Sequence, residues 1–280
     1  MAFKTVLVCL NEVDRIPVLL NLAAGIAAKQ DATVVGLYVV PAVRVNPAFG
    51  PGMVAQVLED VRDFFMARSD EVKQQFQAHM RQQSIEAEWR LVDSNSPDVA
   101  DAVIEHGFRS DLIIVNQVNR ESRAGIELDF TERVVMESGR PVLIVPAFGE
   151  FRECGSRVLD GGNAKREAAR AAFDSVPILR HASAVRVTWV NPDKSSDGAG
   201  ALPGAELAAA LARHGIKATA EGLPTRCIGA GEALLSHASD FGADLLVMGA
   251  YGHNRLREYV FGGATRTILQ SMTVPVLMSH

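Results

Sequence analysis

The 280-residue sequence predicts an α/β protein built from two tandem, doubly wound, mostly parallel sheets. Two observations carry that prediction. Short apolar runs alternate with amphipathic stretches along the chain, the order that gives parallel strands joined by crossover helices. The same order also occurs twice. Asp111-Leu112-Ile113-Ile114-Val115 returns as Asp244-Leu245-Leu246-Val247-Met248, and Arg140-Pro141-Val142-Leu143-Ile144-Val145 returns as Val274-Pro275-Val276-Leu277-Met278. Thr131-Glu132-Arg133 returns as Ala264-Thr265-Arg266, and Thr5-Val6-Leu7-Val8 as Ser156-Arg157-Val158-Leu159. Phe148–Glu153 carries neither period and reads as a linker, which places one domain over 1–147 and a second over 154–280.

In the first domain the continuous apolar run Thr5–Leu10 is a buried strand. Ile16–Lys29 has Leu19, Leu22, Ala23 and Ile26 on one helical face. Thr33–Val40 is a strand ended by Pro41, and a long helix follows over about Met53–Gln83. Trp89–Val92 is a strand whose Trp89, like Trp189 in the second domain, reads as core. Pro97–His106 is a helix for which Ser96 offers an N-cap, and Leu112–Val115 and Val142–Val145 are the last strands. The second domain follows the same order. Its strands are Arg157–Leu159, Val185–Val190, Ala218–Gly222, Leu245–Met248 and Val276–Met278. Its helices are Arg166–Leu179, Ala205–His214, Glu232–Phe241 and Gly263–Met272.

Composition narrows the function. With 28 Lys+Arg against 33 Asp+Glu the chain has a net charge of −5, which argues against non-specific binding to nucleic-acid backbones. Its 48% hydrophobic residues are enough to fill two cores. Cys9, Cys154 and Cys227 are far apart and form no C-x-x-C, so they read as free thiols. The N-terminal run stops at Asn11-Glu12 without a cleavage pattern, and no apolar stretch approaches the ~20 residues of a membrane span. The expectation is a cytoplasmic protein with no membrane partner. There is no G-x-x-x-x-G-K-[ST], no G-x-S-x-G, no third glycine after Gly229-Ala230-Gly231 and no dense His/Cys/Asp cluster. Hence no catalytic residue and no metal ligand is assigned.

The most informative stretch runs from Met248 to Arg266. Gly249 and Gly252 follow a strand, and Gly262 and Gly263 precede a helix. Glycine lets a ligand approach the backbone, and a helix start offers N–H groups beside the positive end of its dipole. Such a loop can cradle phosphates. His253, Arg255, Arg257 and Arg266 lie in or beside it.

The spacing G-x2-G-x9-G over Gly249, Gly252 and Gly262 resembles the glycine signature of the universal stress protein family. The strand before it and the closing Val274–Met278 resemble that family too. The resemblance covers nearly the whole chain as two copies and is strongest over Asp244–His280. It implies a Rossmann-like fold of the adenine nucleotide α-hydrolase type. It also implies an adenine nucleotide, ATP first and with Mg accompanying its phosphates, held by the backbone around Met248, Gly249, Gly252, Gly262, Gly263 and Ala264. The family has Ser or Thr where this chain has Gly263, and Thr265 is the nearest hydroxyl. The family's base pocket lies at the ends of the first two strands, which places Asn163, where the family has Asp, and Val190 beside the base. Asn both donates and accepts.

The first domain departs further. Asn116-Gln117-Val118-Asn119 stands where the second has Gly249-Ala250-Tyr251-Gly252, and Leu128-Asp129 replaces the later glycines. Bulk and negative charge then occupy the space a phosphate needs. The expected function is that of a stress-response regulator binding a nucleotide in its second domain only, with at most slow hydrolysis. An interaction scaffold of the same fold that binds no nucleotide is the alternative, and a small-molecule enzyme is a more distant one. The family pairs through its final strands, which implies an internal pseudo-dimer of the two domains. A homodimer of chains and a regulatory protein partner stay open.

Overall fold

A computed structural model describes residues 2–43, 51–119, 126–163, 165–191, 204–225, 228–251 and 263–280, with side chains omitted at 51–54. Two compact units divide it, Phe3–Ser138 and Gly139–His280. In the first, β1 (Thr5–Cys9) leads through a 3-10 turn at Val13–Arg15 into α1 (Ile16–Gln30). Then come β2 (Thr33–Val40), α2 (Pro51–Gln82), β3 (Ala87–Asp93), α3 (Val99–Gly107), β4 (Leu112–Asn116) and α4 (Phe130–Glu137). Its strands lie in the order β3-β2-β1-β4, with the paired neighbours parallel.

The second unit holds β5 (Val142–Val145), β6 (Arg157–Gly162), α5 (Arg166–Asp174), α6 (Val176–Leu179) and β7 (Ala184–Val190). They are followed by α7 (Ala205–Arg213), β8 (Ala218–Leu223), α8 (Ala230–Phe241), β9 (Leu245–Gly249), α9 (Ala264–Ser271) and β10 (Val276–Ser279). The order is β5-β10-β9-β6-β7-β8. All its described pairings are parallel except β5 with β10, the two closing strands, where Leu143 faces Leu277.

The repeat has a physical basis beyond apolar runs. Asp111 stands just before β4 and accepts N–H groups of Lys4 (2.8 Å) and Thr5 (3.0 Å) at the start of β1. Its counterpart Asp244 accepts those of Gly155, Ser156 and Arg157 at the start of β6, at 2.9–3.0 Å. Each carboxylate thus satisfies main-chain donors that precede the ladder. The strands between are dry: every residue of β4 and β5 is buried.

Four sequence-based expectations change in detail. The expected helix Arg166–Leu179 breaks at Ser175, because Pro177 has no N–H to give the Phe173 carbonyl. Ser175 Oγ bonds the Ala172 carbonyl (2.8 Å) at the break. Ser96 is not the N-cap of α3, which starts at Val99. Its first N–H groups, from Val99 (3.0 Å) and Ala100 (2.7 Å), go to the Glu127 carboxylate instead, a charged acceptor that outcompetes a hydroxyl. Trp89 and Trp189 are half-buried, because β3 is an edge strand and β7 is next to one. Finally, β6 runs to Gly162 rather than Leu159, since both glycines join the ladder opposite Thr188 and Trp189.

Candidate functional site

Val6 pairs with Leu112 and Val158 with Leu245, which fixes the correspondence of the two units residue by residue. Asn163 therefore matches Asn11, Val190 matches Val39, and Asp160 matches Val8. In an open parallel sheet the ligand crevice lies beyond the carboxyl ends of the strands. In the second unit those ends are Gly162-Asn163 on β6, Val190 on β7 and Met248-Gly249 on β9, with β6 between the other two. The first turn of α9 joins them, since Thr265 Oγ1 accepts the Tyr251 N–H at 3.1 Å. Seven of the expected residues, Asn163, Val190, Met248, Gly249, Gly263, Ala264 and Thr265, thus stand at or beside one sheet end. Gly252 and Gly262 lie outside the described residues, as do His253, Arg255 and Arg257.

The glycines do different work from one another. Gly249 is the last residue of β9, and a Cβ there would sit 2.4 Å from Ala168 N and Glu167 C. It is needed because the backbone of α5 presses on it. Among the described residues of the loop, Tyr251 is left-handed, with φ +54°. Gly263 is the N-cap of α9, in extended conformation. At Gly231, near the start of α8, a Cβ would stand 2.8 Å from Thr267 Cβ and 2.9 Å from the Ala264 carbonyl. The first turns of α8 and α9 therefore touch, and two helix N-termini meet beside the crevice. Thr265 is buried and tied to Tyr251. His280, after β10, sets its ring Nδ1 3.1 Å from the Ala250 carbonyl and braces the same loop.

In the first unit the side chains at the matching positions bond within the unit. Asn11 is buried. Its Nδ2 donates to the Val39 carbonyl (2.7 Å), and its Oδ1 accepts the Val39 N–H (3.1 Å) and the Cys9 thiol (3.7 Å). Burial pushes that thiol up to about 12, so Cys9 is inert. Asn116, the counterpart of Gly249, is buried in β4, and Glu127 covers the α3 N-terminus. In the second unit the matching amide bonds its own turn instead. The β6–β7 ladder continues one residue further than β1–β2, to Gly162 opposite Trp189. Asn163 then turns outward and its Oδ1 accepts only the Lys165 N–H (3.1 Å).

One group was not anticipated from sequence. Asp160, inside β6, is fully buried, and neither carboxylate oxygen has a hydrogen-bond partner. Desolvation raises its pKa to about 7. The signal was present as a charge in an apolar run whose repeat partner is Val8. Among the described residues no cluster of His, Cys, Asp or Glu is arranged to hold a metal ion. None of their helices is long and apolar enough to cross a membrane.

Residues 158–280 match the sequence model of the universal stress protein family. Over those residues the second unit is universal stress protein-like in sequence. A curated universal stress protein of Synechocystis sp. is 44% identical over 46 residues, a match spanning 16% of each protein. A universal stress protein structure from Archaeoglobus fulgidus covers 99% of this chain and 96% of its own, at 15% identity and a TM-score of 0.73. A structure of unknown function from Pseudomonas aeruginosa covers 99% and 92%, at 13% identity and a TM-score of 0.58. At those identities the structures establish the fold, including both units.

Proposed function

We propose that the chain is a stress-response regulator whose second unit binds an adenine nucleotide, with ATP the leading candidate and Mg carried on its phosphates. One observation carries the asymmetry: the side-chain amide that closes on Val39 in the first unit is released from the matching position in the second. A base between Asn163 and Val190 would place its phosphates toward Gly249 and the paired N-termini of α8 and α9. Backbone N–H groups and helix dipoles favour an anion there without a dense basic patch. At the matching positions of the first unit, Asn11, Asn116 and Glu127 are instead hydrogen-bonded within that unit. Nucleotide occupancy would act by changing partner choice.

Gly263 and the engaged hydroxyl of Thr265 favour a second reading, an interaction scaffold without nucleotide. The test is to denature protein purified without added ligand and count the released nucleotide by chromatography and mass spectrometry. The expected result is about one adenine nucleotide per chain, lost in Gly252→Val and Gly262→Val while circular dichroism is unchanged. Two per chain would reject the asymmetry. None, with no binding of ATP, ADP or AMP at millimolar concentration, would establish the scaffold.

A further inference from the structure

Helix α8 borders a hollow on its outer flank. Its inner face packs on β6, where Leu234 Cδ1 lies 3.1 Å from the place a Cβ on Gly161 would take, and its first turn meets α9 at Thr267. Ala233, Ser236, His237 and Asp240 stand at i, i+3, i+4 and i+7 and share a different face. That face and the end of β8 enclose an open cavity of about 460 Å³, whose opposite wall includes Leu223, Pro224, Thr225 and Ile228. The size suits one small organic molecule. The wall is preformed: the Thr225 N–H donates to Asn191 Oδ1 (2.8 Å), and Asn191 Nδ2 donates to Thr225 Oγ1 (2.9 Å). Ile228 is 52% exposed, so the wall presents apolar surface.

The charges beside the cavity are unequally balanced. Glu221 on β8 is paired twice, with Arg186 (3.4 Å) and with His237. Asp240 has no ion-pair or hydrogen-bond partner among the described residues. It also lies in the last turn of α8, where the negative end of the helix dipole opposes a carboxylate. The fold does not call for an acid there. Val190 pairs with Leu223 and Val39 with Val92, so Glu221 matches Arg90 of the first unit. Arg90 Nη1 meets His106 Nδ1 at 3.2 Å, as Glu221 meets His237. Three residues after the histidine the first unit has Arg109 and the second has Asp240. The same scaffold therefore carries the opposite charge at the cavity.

We propose that this cavity is a second ligand site and that it takes a small amphiphilic amine. The apolar body lies against Leu223, Pro224 and Ile228, and the ammonium group meets Asp240 and the Ser236 hydroxyl. Burial of the body supplies the affinity, and the unpaired carboxylate selects the sign of the head group. The site lies on the β8 side of α8, away from α9, and the proposal stands whether or not the strand-end crevice holds a nucleotide.

Hexylamine, hexanol and hexanoate share one chain and differ in head-group charge, so they are the probes. Each is titrated into the isotopically labelled full chain and followed by amide NMR shifts. Hexylamine is expected to give saturable shifts at Leu223, Ile228 and Ala233 and to bind about fivefold tighter than hexanol, with no response to hexanoate. Asp240→Asn is expected to bring hexylamine to the level of hexanol. Ser236→Leu, which fills the cavity from an exposed helix position, is expected to abolish both. Both variants should keep the wild-type circular dichroism, because neither side chain is buried. Hexylamine binding no tighter than hexanol, hexanoate binding as well as hexylamine, or a preference that survives Asp240→Asn would overturn the proposal. So would shifts confined to residues outside the cavity, or no shift with any probe at millimolar concentration.

Discussion

Asp160→Val is expected to stabilise the second unit at every pH, and Asp160→Asn to remove most of its pH dependence. The carboxyl is wholly buried and partnerless, its cross-strand neighbours are Val187 and Val247, and burial is the sole cause of its pKa of about 7. The ordinary value is 3.8, so the folded unit holds this proton more tightly than the unfolded chain does. Between pH 4 and 7 the unfolded state has lost the proton while the folded state keeps it, so stability falls as pH rises. The loss levels off above about pH 7, where both states are ionised. A shift of roughly three pH units is worth at most about 4 kcal/mol. Valine at this position, as at Val8 in the first unit, removes both the ionisation and the unsatisfied polar atoms. At pH 8 a gain of about 3 kcal/mol is expected, on the order of 10 °C in melting temperature. The chain has two tryptophans, so a Trp89→Phe background leaves Trp189 on β7 to report urea unfolding of this unit. Identical pH profiles for wild type and Asp160→Asn would refute the assignment.

Why that destabilising residue went unnoticed separates what sequence carries from what it does not. The repeated Asp111 and Asp244, the closing strands and the glycine spacing are local patterns with a fixed structural consequence, and each is legible. Asp160 is also visible, but its cost depends on burial from both faces, which only packing supplies. Gly249 looks like a ligand-loop glycine, yet its neighbour is the backbone of α5, some eighty residues earlier in the chain. Ser96 has good N-cap chemistry and loses to Glu127, which no short window connects to α3. Asn163 and Asn11 are the same residue in the same repeat position with opposite hydrogen bonding. The difference lies in Gly161-Gly162, which let β6 run one residue further and push the amide outward. Pro177 is a plain sequence signal for the break after α5, a helix breaker inside an otherwise continuous pattern.

Gly249→Ala is the second large effect, and it decides how any loss of nucleotide binding should be read. A methyl group here meets Ala168 N and Glu167 C at 2.4 Å and Glu167 O at 2.8 Å. These are backbone atoms in the first turn of a helix, so no rotamer change relieves the overlap. Helix α5 must lift from β9, and with it go buried Ala168, Ala171 and Ala172. A loss of about 3 kcal/mol or more is expected, the upper end for an overpacked core. It should be seen as a lower urea midpoint of Trp189 fluorescence with or without nucleotide. Gly263→Ser at the other side of the crevice makes the contrast. It sits in extended N-cap geometry, where serine is favoured, so α9 should gain a few tenths of a kcal/mol. If a phosphate sits there, the added hydroxyl should also raise affinity for ATP. The two substitutions separate a glycine kept for packing from one whose missing side chain is a loss at the ligand. Gly249→Ala with unchanged stability and abolished binding would reverse that assignment and make Gly249 a contact of the ligand itself.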